Sequence, residues 1–234
     1  ASGHRRVPQY FYEQMPIPDA PKDIIVKIAK ECETVDNEVE EARLQIAKAK
    51  ERIDDIINSV QGESVKFSDV CVLNEFVINP RETPEKDYTY VDIDSVENRT
   101  GIIRFDKRIV GKNAPSRARR LAKDESTLIS TVRPYLRGFA YLDSERPNTI
   151  YSTGFAIIRS KDTSKITNKM IYLYFMYSQD LMTQMTNAMP KGAYPSINQT
   201  DINNFIMNVP NLDIQEEIIK ELSVHETKIS EAQA

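Results

Sequence analysis

Apolar residues recur along the first third of the chain at Ile25, Ile28, Cys32, Val35, Val39, Ala42, Ile46, Ala49, Ile53, Ile56 and Val60, with steps of three and four alternating throughout. A 3.5-residue period sustained this long predicts a left-handed coiled coil, because an isolated surface helix follows 3.6. The predicted helix occupies 18–61, with Asp19 and Pro21 as its cap and first turn and "QGES" as its stop. The run from Ile25 to Val60 makes a rod of roughly 54 Å at 1.5 Å per residue. Ile25, Ile28, Val35, Val39, Ala42, Ile46, Ala49, Ile53 and Ile56 are then the positions that meet a facing helix. The alanines would let that helix come close near the middle.

The chain itself offers a candidate for the facing helix. "FYEQMPIPDAPKDIIVKI", starting at Phe11, aligns without gaps to "FIMNVPNLDIQEEIIKEL", starting at Phe205, an offset of 194 residues. Pro16 matches Pro210, Asp19 matches Asp213, and Ile24, Ile25 and Ile28 match Ile218, Ile219 and Leu222. "DIQE" from Asp213 reads as a capping-box-like start for this second helix, 211–234.

Between the two, 62–210 shows a different period. "VKFSDVCVLNEFVI", "YTYVDIDSV", "GIIRFDKRIV", "STLISTVRPYL", "GFAYLD" and "GFAIIRS" are short, rich in β-branched and aromatic residues and separated by turn sequences. They predict strands. "TNKMIYLYFMYSQDLMTQMTNAM" predicts one helix of about six turns, and "TDINNFIM" a shorter capped one from Thr200. The fold class expected is α+β, a mixed globular domain attached to a long coiled-coil helix.

Composition narrows the function. With 40% hydrophobic and 28% charged residues the chain builds a core, and no apolar run reaches the roughly 18–20 residues of a membrane span. Cys32 on the seam and Cys71 in an apolar run read as buried free thiols, which suits a reducing cytoplasm. The net charge of −4 divides unevenly: 22–60 carries seven basic and ten acidic residues, 211–234 two and six, and 61–210 twenty and seventeen. Acidic helices thus flank a mildly basic middle. Two histidines and two distant cysteines argue against a catalytic triad or zinc site, and neither a phosphate-binding glycine loop nor an adenine-methyltransferase motif is present. The expectation is no catalysis, no metal and no cofactor.

The densest positive stretch is "RFDKRIVGKNAPSRARR", 104–120, with seven basic residues against one Asp. Long cationic side chains suit phosphates, and the arginine fork suits guanine. Lys107, Arg108, Lys112, Arg117, Arg119 and Arg120 are therefore candidate DNA contacts, against the plainer reading of a solvated charged loop. A second candidate is "MPKGAYPSINQT", where Lys191, Tyr194, Ser196 and Asn198 share one loop that reads equally as a helix connection. Arg133 and Arg137, on or beside a strand, suit internal ion pairs as well.

The succession "YVDIDSVENRTGII", "STLISTVRPYLRGFAYL", "YSTGFAIIR" and "KGAYPSINQTDINNFIMNVPNLDIQEEIIKEL" resembles the DNA-specificity (S) subunit of type I restriction-modification systems over nearly the whole chain. The resemblance implies target-recognition domains alternating with long helices that pack antiparallel as a spacer. Each recognition domain reads half of a split site in double-stranded DNA. It also implies methyltransferase (M) and restriction (R) subunits as partners. On this pattern 1–17 is the end of a preceding recognition domain, 18–61 a spacer helix, 62–210 a recognition domain and 211–234 the start of a second spacer helix. That would suit a fragment, a half-subunit pairing with a second copy, or the recognition part of a fused methyltransferase-nuclease. The competing class is a coiled-coil protein-interaction module that never touches DNA.

Overall fold

The long seam folds as one unbroken helix. A computed structural model describes residues 21–190 and 195–233, with side chains up to 227. Helix α1 (Lys22–Asn58) has 37 residues and no side-chain cap at Pro21. It is followed by β1 (Glu63–Lys66), the one-turn helix α2 (Phe67–Val70), β2 (Cys71–Leu73), β3 (Phe76–Val77), β4 (Asp87–Val91), β5 (Arg108–Val110) and β6 (Ala118–Leu121). Then come β7 (Ser126–Ser130), β8 (Phe139–Leu142), β9 (Thr149–Ser152), β10 (Phe155–Ser160), α3 (Asn168–Tyr177), α4 (Gln179–Ala188), α5 (Gln199–Asn204), β11 (Ile206–Val209) and α6 (Leu212–Gln233).

The globular part is layered, and period-2 alternation explains the layers. A four-stranded antiparallel sheet, β2-β10-β7-β8, is apolar on both faces. Leu128, Ala140, Phe155 and Ile157 face a second sheet and meet its Val91 and Tyr151. Their neighbours Ile129, Phe139, Ala156 and Ile158 face the other way, into a core with Met170 and Phe175 of α3 and the last turns of α1. The second sheet, β3-β6-β9-β4-β5, is antiparallel except for the parallel β4–β9 pair, and a bulge interrupts β6 at Arg119. The fold is therefore α+β, as the alternating patterns predict.

The two long helices join the domain at one place. β1, directly after α1, pairs antiparallel with β11, directly before α6, so the helices run in opposite directions from a common base. Gly62 is required at this joint, because a Cβ there would lie 2.3 Å from the Val209 backbone. Ala49, Ile53, Ile56 and Ile57 are buried, and the three isoleucines share a core with Ile218 and Leu222 of α6. Arg52 Nη2 meets Glu221 Oε1 across the pair at 2.7 Å. In contrast, Ile25, Ile28, Val35 and Val39 are exposed, and Ala42 and Ile46 are intermediate.

Several local expectations change. The predicted six-turn helix is two helices, because Ser178 takes an extended conformation (ψ 123°) and its hydroxyl accepts from Leu181 N at 3.2 Å, capping α4. α6 begins one residue earlier than "DIQE" and is capped by Asn211, whose Oδ1 accepts from Ile214 N. "VKFSDVCVLNEFVI" is three short strands and a helical turn, "GIIRFDKRIV" is a strand only at Arg108–Val110, and the end of "TDINNFIM" is strand β11. Cys32 is exposed and only Cys71 is buried. Burial pushes the Cys71 thiol up to about 12, partly opposed by Lys161. The proposed correspondences at Phe11, Pro16 and Asp19, and the tail 1–17, lie outside the described residues.

Candidate nucleic-acid interface

The basic stretch does not form one patch. Lys107 Nζ pairs with Asp92 Oδ1 at 2.5 Å and Lys112 Nζ with Glu85 Oε2 at 3.1 Å. Burial raises the Asp92 carboxyl, but hydrogen bonds from Lys107 and Ser95 outweigh it and hold the group below its usual range. Arg108 Nη1 donates to Thr89 Oγ1 at 2.6 Å. Arg119, at the bulge, donates to Ser116 O and Asn79 Oδ1. Arg120 lies opposite the buried Tyr151 on the sheet, which turns its side chain toward the space between the two sheets. Its Nε and Nη1 are buried and have no hydrogen-bond partner among the described residues, and burial lowers its pKa.

Arg117 is different. It is exposed in the turn before β6, has no side-chain hydrogen bond or ion pair among the described residues, and lines an open cleft of about 770 Å³. The turn is held by its backbone, since Arg117 O accepts from Thr153 N at 2.8 Å. The same cleft is lined by Asn98, Asp94, Glu97, Arg133 and Leu136. Arg104 also lines it, and its Nη2 donates to Asp94 O at 2.5 Å. Three arginines here meet three carboxylates, Asp92, Asp94 and Glu97, so the cleft offers donors, acceptors and an apolar group and not a bare positive field. Base edges demand that mixture: arginine pairs with guanine, asparagine with adenine, carboxylate with the cytosine amino group, and an apolar side chain with the thymine methyl.

The second candidate loop comes to the same place. Arg133 N donates to Pro195 O and Ile197 N to Thr131 O, both at 2.9 Å, and Ser196 bridges Val132. Exposed Ser196 therefore sits beside the Arg133 wall of the cleft. Asn198 has a structural role, since its Oδ1 accepts from Thr200 N and Asp201 N and caps α5 in a capping box. Lys191 and Tyr194 lie outside the described residues.

The sequence singles out Arg133 and Arg137 without deciding between DNA contact and internal ion pairs, and it does not disclose that 131–137 forms one wall of the cleft. Arg133 (φ 48°) and Arg137 (φ 53°) both adopt the left-handed region around the turn Pro134–Leu136, and Arg99 (φ 67°) does so in the neighbouring loop. Such residues cost about 1–3 kcal/mol each and persist where the surroundings over-determine them, typically at functional sites. The only available signal was the pair of arginines bracketing a proline in "RPYLR".

The family of type I restriction modification DNA specificity domains matches residues 60–233. This chain belongs to that family. It is similar to the HsdS subunit from Thermoanaerobacter tengcongensis, at 26% identity and TM-score 0.64 over 73% of this chain and 43% of that one. It is also similar to a chain from a structure concerned with complex assembly and conformational transition of the type I R-M system, at 28% identity and TM-score 0.63 over the same shares. The S subunit of the type I system from M. genitalium, at 13% identity and TM-score 0.53 over 88% of this chain and 55% of that one, shares the fold. The chain thus spans less than half the length of the first two. A search of curated protein sequences gives no match.

Proposed function

We propose that this specificity-domain chain reads one half of a bipartite site in double-stranded DNA through the cleft that holds Arg117. The observation that carries the reading is the juxtaposition of an unpaired arginine with Asn98, Asp94, Glu97 and Leu136 in one open cleft. On this reading 62–210 is the recognition domain and α1 is the spacer that sets the distance to a second reader. The exposed seam at Ile25, Ile28, Val35 and Val39 is covered by an antiparallel helix, supplied by a second copy of the chain or by another segment of a longer subunit. One similar chain comes from a structure of type I complex assembly, which supports M subunits, and R subunits for cleavage, as partners. The chain itself performs no catalysis, acts in the cytoplasm and needs no cofactor. No described helix is long and apolar enough to cross a membrane.

Arg117→Ala tests the reading. Anisotropy titrations with duplex DNA should show weaker binding and a plot of log affinity against log salt that is shallower by about one if Arg117 touches a phosphate. If it reads a base, discrimination at one position should relax by about 1–3 kcal/mol. Wild-type affinity and preference in the variant would remove the cleft from the interface.

A further inference from the structure

Beyond the turn Pro134–Leu136 the recognition cleft gives way to two adjoining grooves of about 410 and 510 Å³, lying between the domain and the long helices. The wall is shared: Leu136 faces the cleft while Tyr135 and Arg137 face the first groove. Asn98 lines both the cleft and the second groove, and Arg99 and Lys50 line both grooves. The surface is continuous from the cleft to Lys50, which stands on α1 about 12 Å up the rod from Asn58.

The charge changes along this path. The cleft is balanced, but the first groove sets Lys50, Arg99 and Arg137 against Asp54 alone, and the second sets Lys50, Arg99 and Lys169 against Asp143 and Glu226, so the positive excess is concentrated in the first. Lys50 and Arg99 have no side-chain hydrogen bond or ion pair among the described residues. Burial lowers the pKa of Arg137, Asp54 partly restores it and Arg99 lowers it further, so the two guanidinium groups sit within each other's field.

The arginines are also held in place. Arg99 N donates to Arg137 O at 2.9 Å, and Arg137 Nη1 donates to Met176 O at 2.6 Å. The loop tip is closed by Glu97 N to Ile102 O at 2.9 Å. At Gly101 (φ 77°) a Cβ would lie 2.6 Å from the Tyr172 hydroxyl, so the tip is pressed against α3. The backbone that carries Arg99 is therefore fixed before DNA arrives, so ordering on binding is confined to side chains.

We propose that these grooves form a sequence-independent track for the phosphate backbone of duplex DNA on the spacer side of the recognised half-site. Lys50 and Arg99 are its phosphate contacts, and Arg137 is the residue that positions Arg99. The track rests on the reading that the neighbouring cleft holds a half-site, and it adds a grip on base pairs that are not read.

The test uses the full chain and the half-site that it enriches from a randomised duplex pool. Affinity is compared for duplexes ending at the half-site, extended by ten base pairs on the spacer side, or extended on the far side. The wild type should gain about tenfold from the spacer-side extension alone. Lys50→Ala combined with Arg99→Asn, which keeps a residue tolerant of the left-handed region, should lose that gain. Its salt slope should fall by about two, and it should enrich the same motif. A retained gain or an unchanged slope overturns the track. So does a variant with an unchanged length effect that no longer binds an M subunit, which would assign the grooves to protein docking. A wild type that enriches a motif but gains nothing from extension sinks the track alone; one that enriches no motif sinks the half-site reading with it.

Discussion

Ile25 and Ile53 hold the same place in the same heptad repeat, yet Ile25 is 52% exposed and Ile53 is 0% exposed. The two ends of α1 differ in what stands opposite. Near the base, α6 and the domain core close over Ile53 and Ile56. If the antiparallel register at Arg52 and Glu221 is carried outward, Gln233 falls opposite about position 40, and the outer seam faces no described helix. A heptad pattern states that a face must be buried; it does not state who buries it. The inner end is part of a folding unit, whereas the outer end is a surface waiting for one.

Thiol chemistry separates the two ends most sharply. Cys32 is on the outer seam, and Cys71 is buried in the core. Raising the Cys71 pKa from 9.0 to about 12 cuts its thiolate population about 1000-fold at neutral pH. Maleimide labelling of the free chain should therefore modify Cys32 quickly and leave Cys71 untouched until unfolding. Equal rates would show that the core is open. The same shift gives a pH dependence. The folded chain holds the Cys71 proton more tightly than the unfolded one, so its contribution is complete below about pH 9 and is lost as pH rises toward 12. Cys71→Ala should flatten that part of a melting-temperature profile.

The next effect is on stability. Ile53→Ala should destabilise the domain by about 2–5 kcal/mol in denaturant titration, because it opens a cavity among packed side chains. Ile25→Ala in the unpartnered chain should change stability by less than about 0.5 kcal/mol. A large effect at Ile25 would mean that the outer seam is covered in solution by a second copy. Repeating residues 33–39 inserts one heptad, about 10.5 Å, into the exposed half. Domain stability should hold, and the preferred gap between two half-sites in the assembled complex should lengthen by about three base pairs. An unmoved gap would refute the spacer role. Arg52→Ala breaks an ion pair whose partners are both about half exposed and should cost at most about 0.5 kcal/mol.

What the sequence disclosed follows the range of the interaction. The seam, the alternating strands and the capped helices are set by neighbours three or four positions away, and most of them were legible. The split at Ser178 was not, because apolar periodicity continues across it while a hydroxyl cap stops the backbone. Nor was the pairing of β1 with β11, which joins segments at opposite ends of the domain. The cleft was half legible. Positive charge pointed to 104–120, but Lys107 and Lys112 are tied to Asp92 and Glu85, and Arg120 is partly enclosed. Only the three-dimensional fold brings Arg117 into one cleft with Asn98 and Glu97, and the contacts of Pro195, Ser196 and Ile197 with 131–133 place the second loop beside them.

Selection from a randomised duplex pool shows whether one cleft reads DNA. The chain should enrich one contiguous motif, and Arg117→Ala should lose or relax that motif at a defined position. Enrichment of no motif by the wild type, or of the same motif with equal strength by the variant, would show that the cleft does not read DNA.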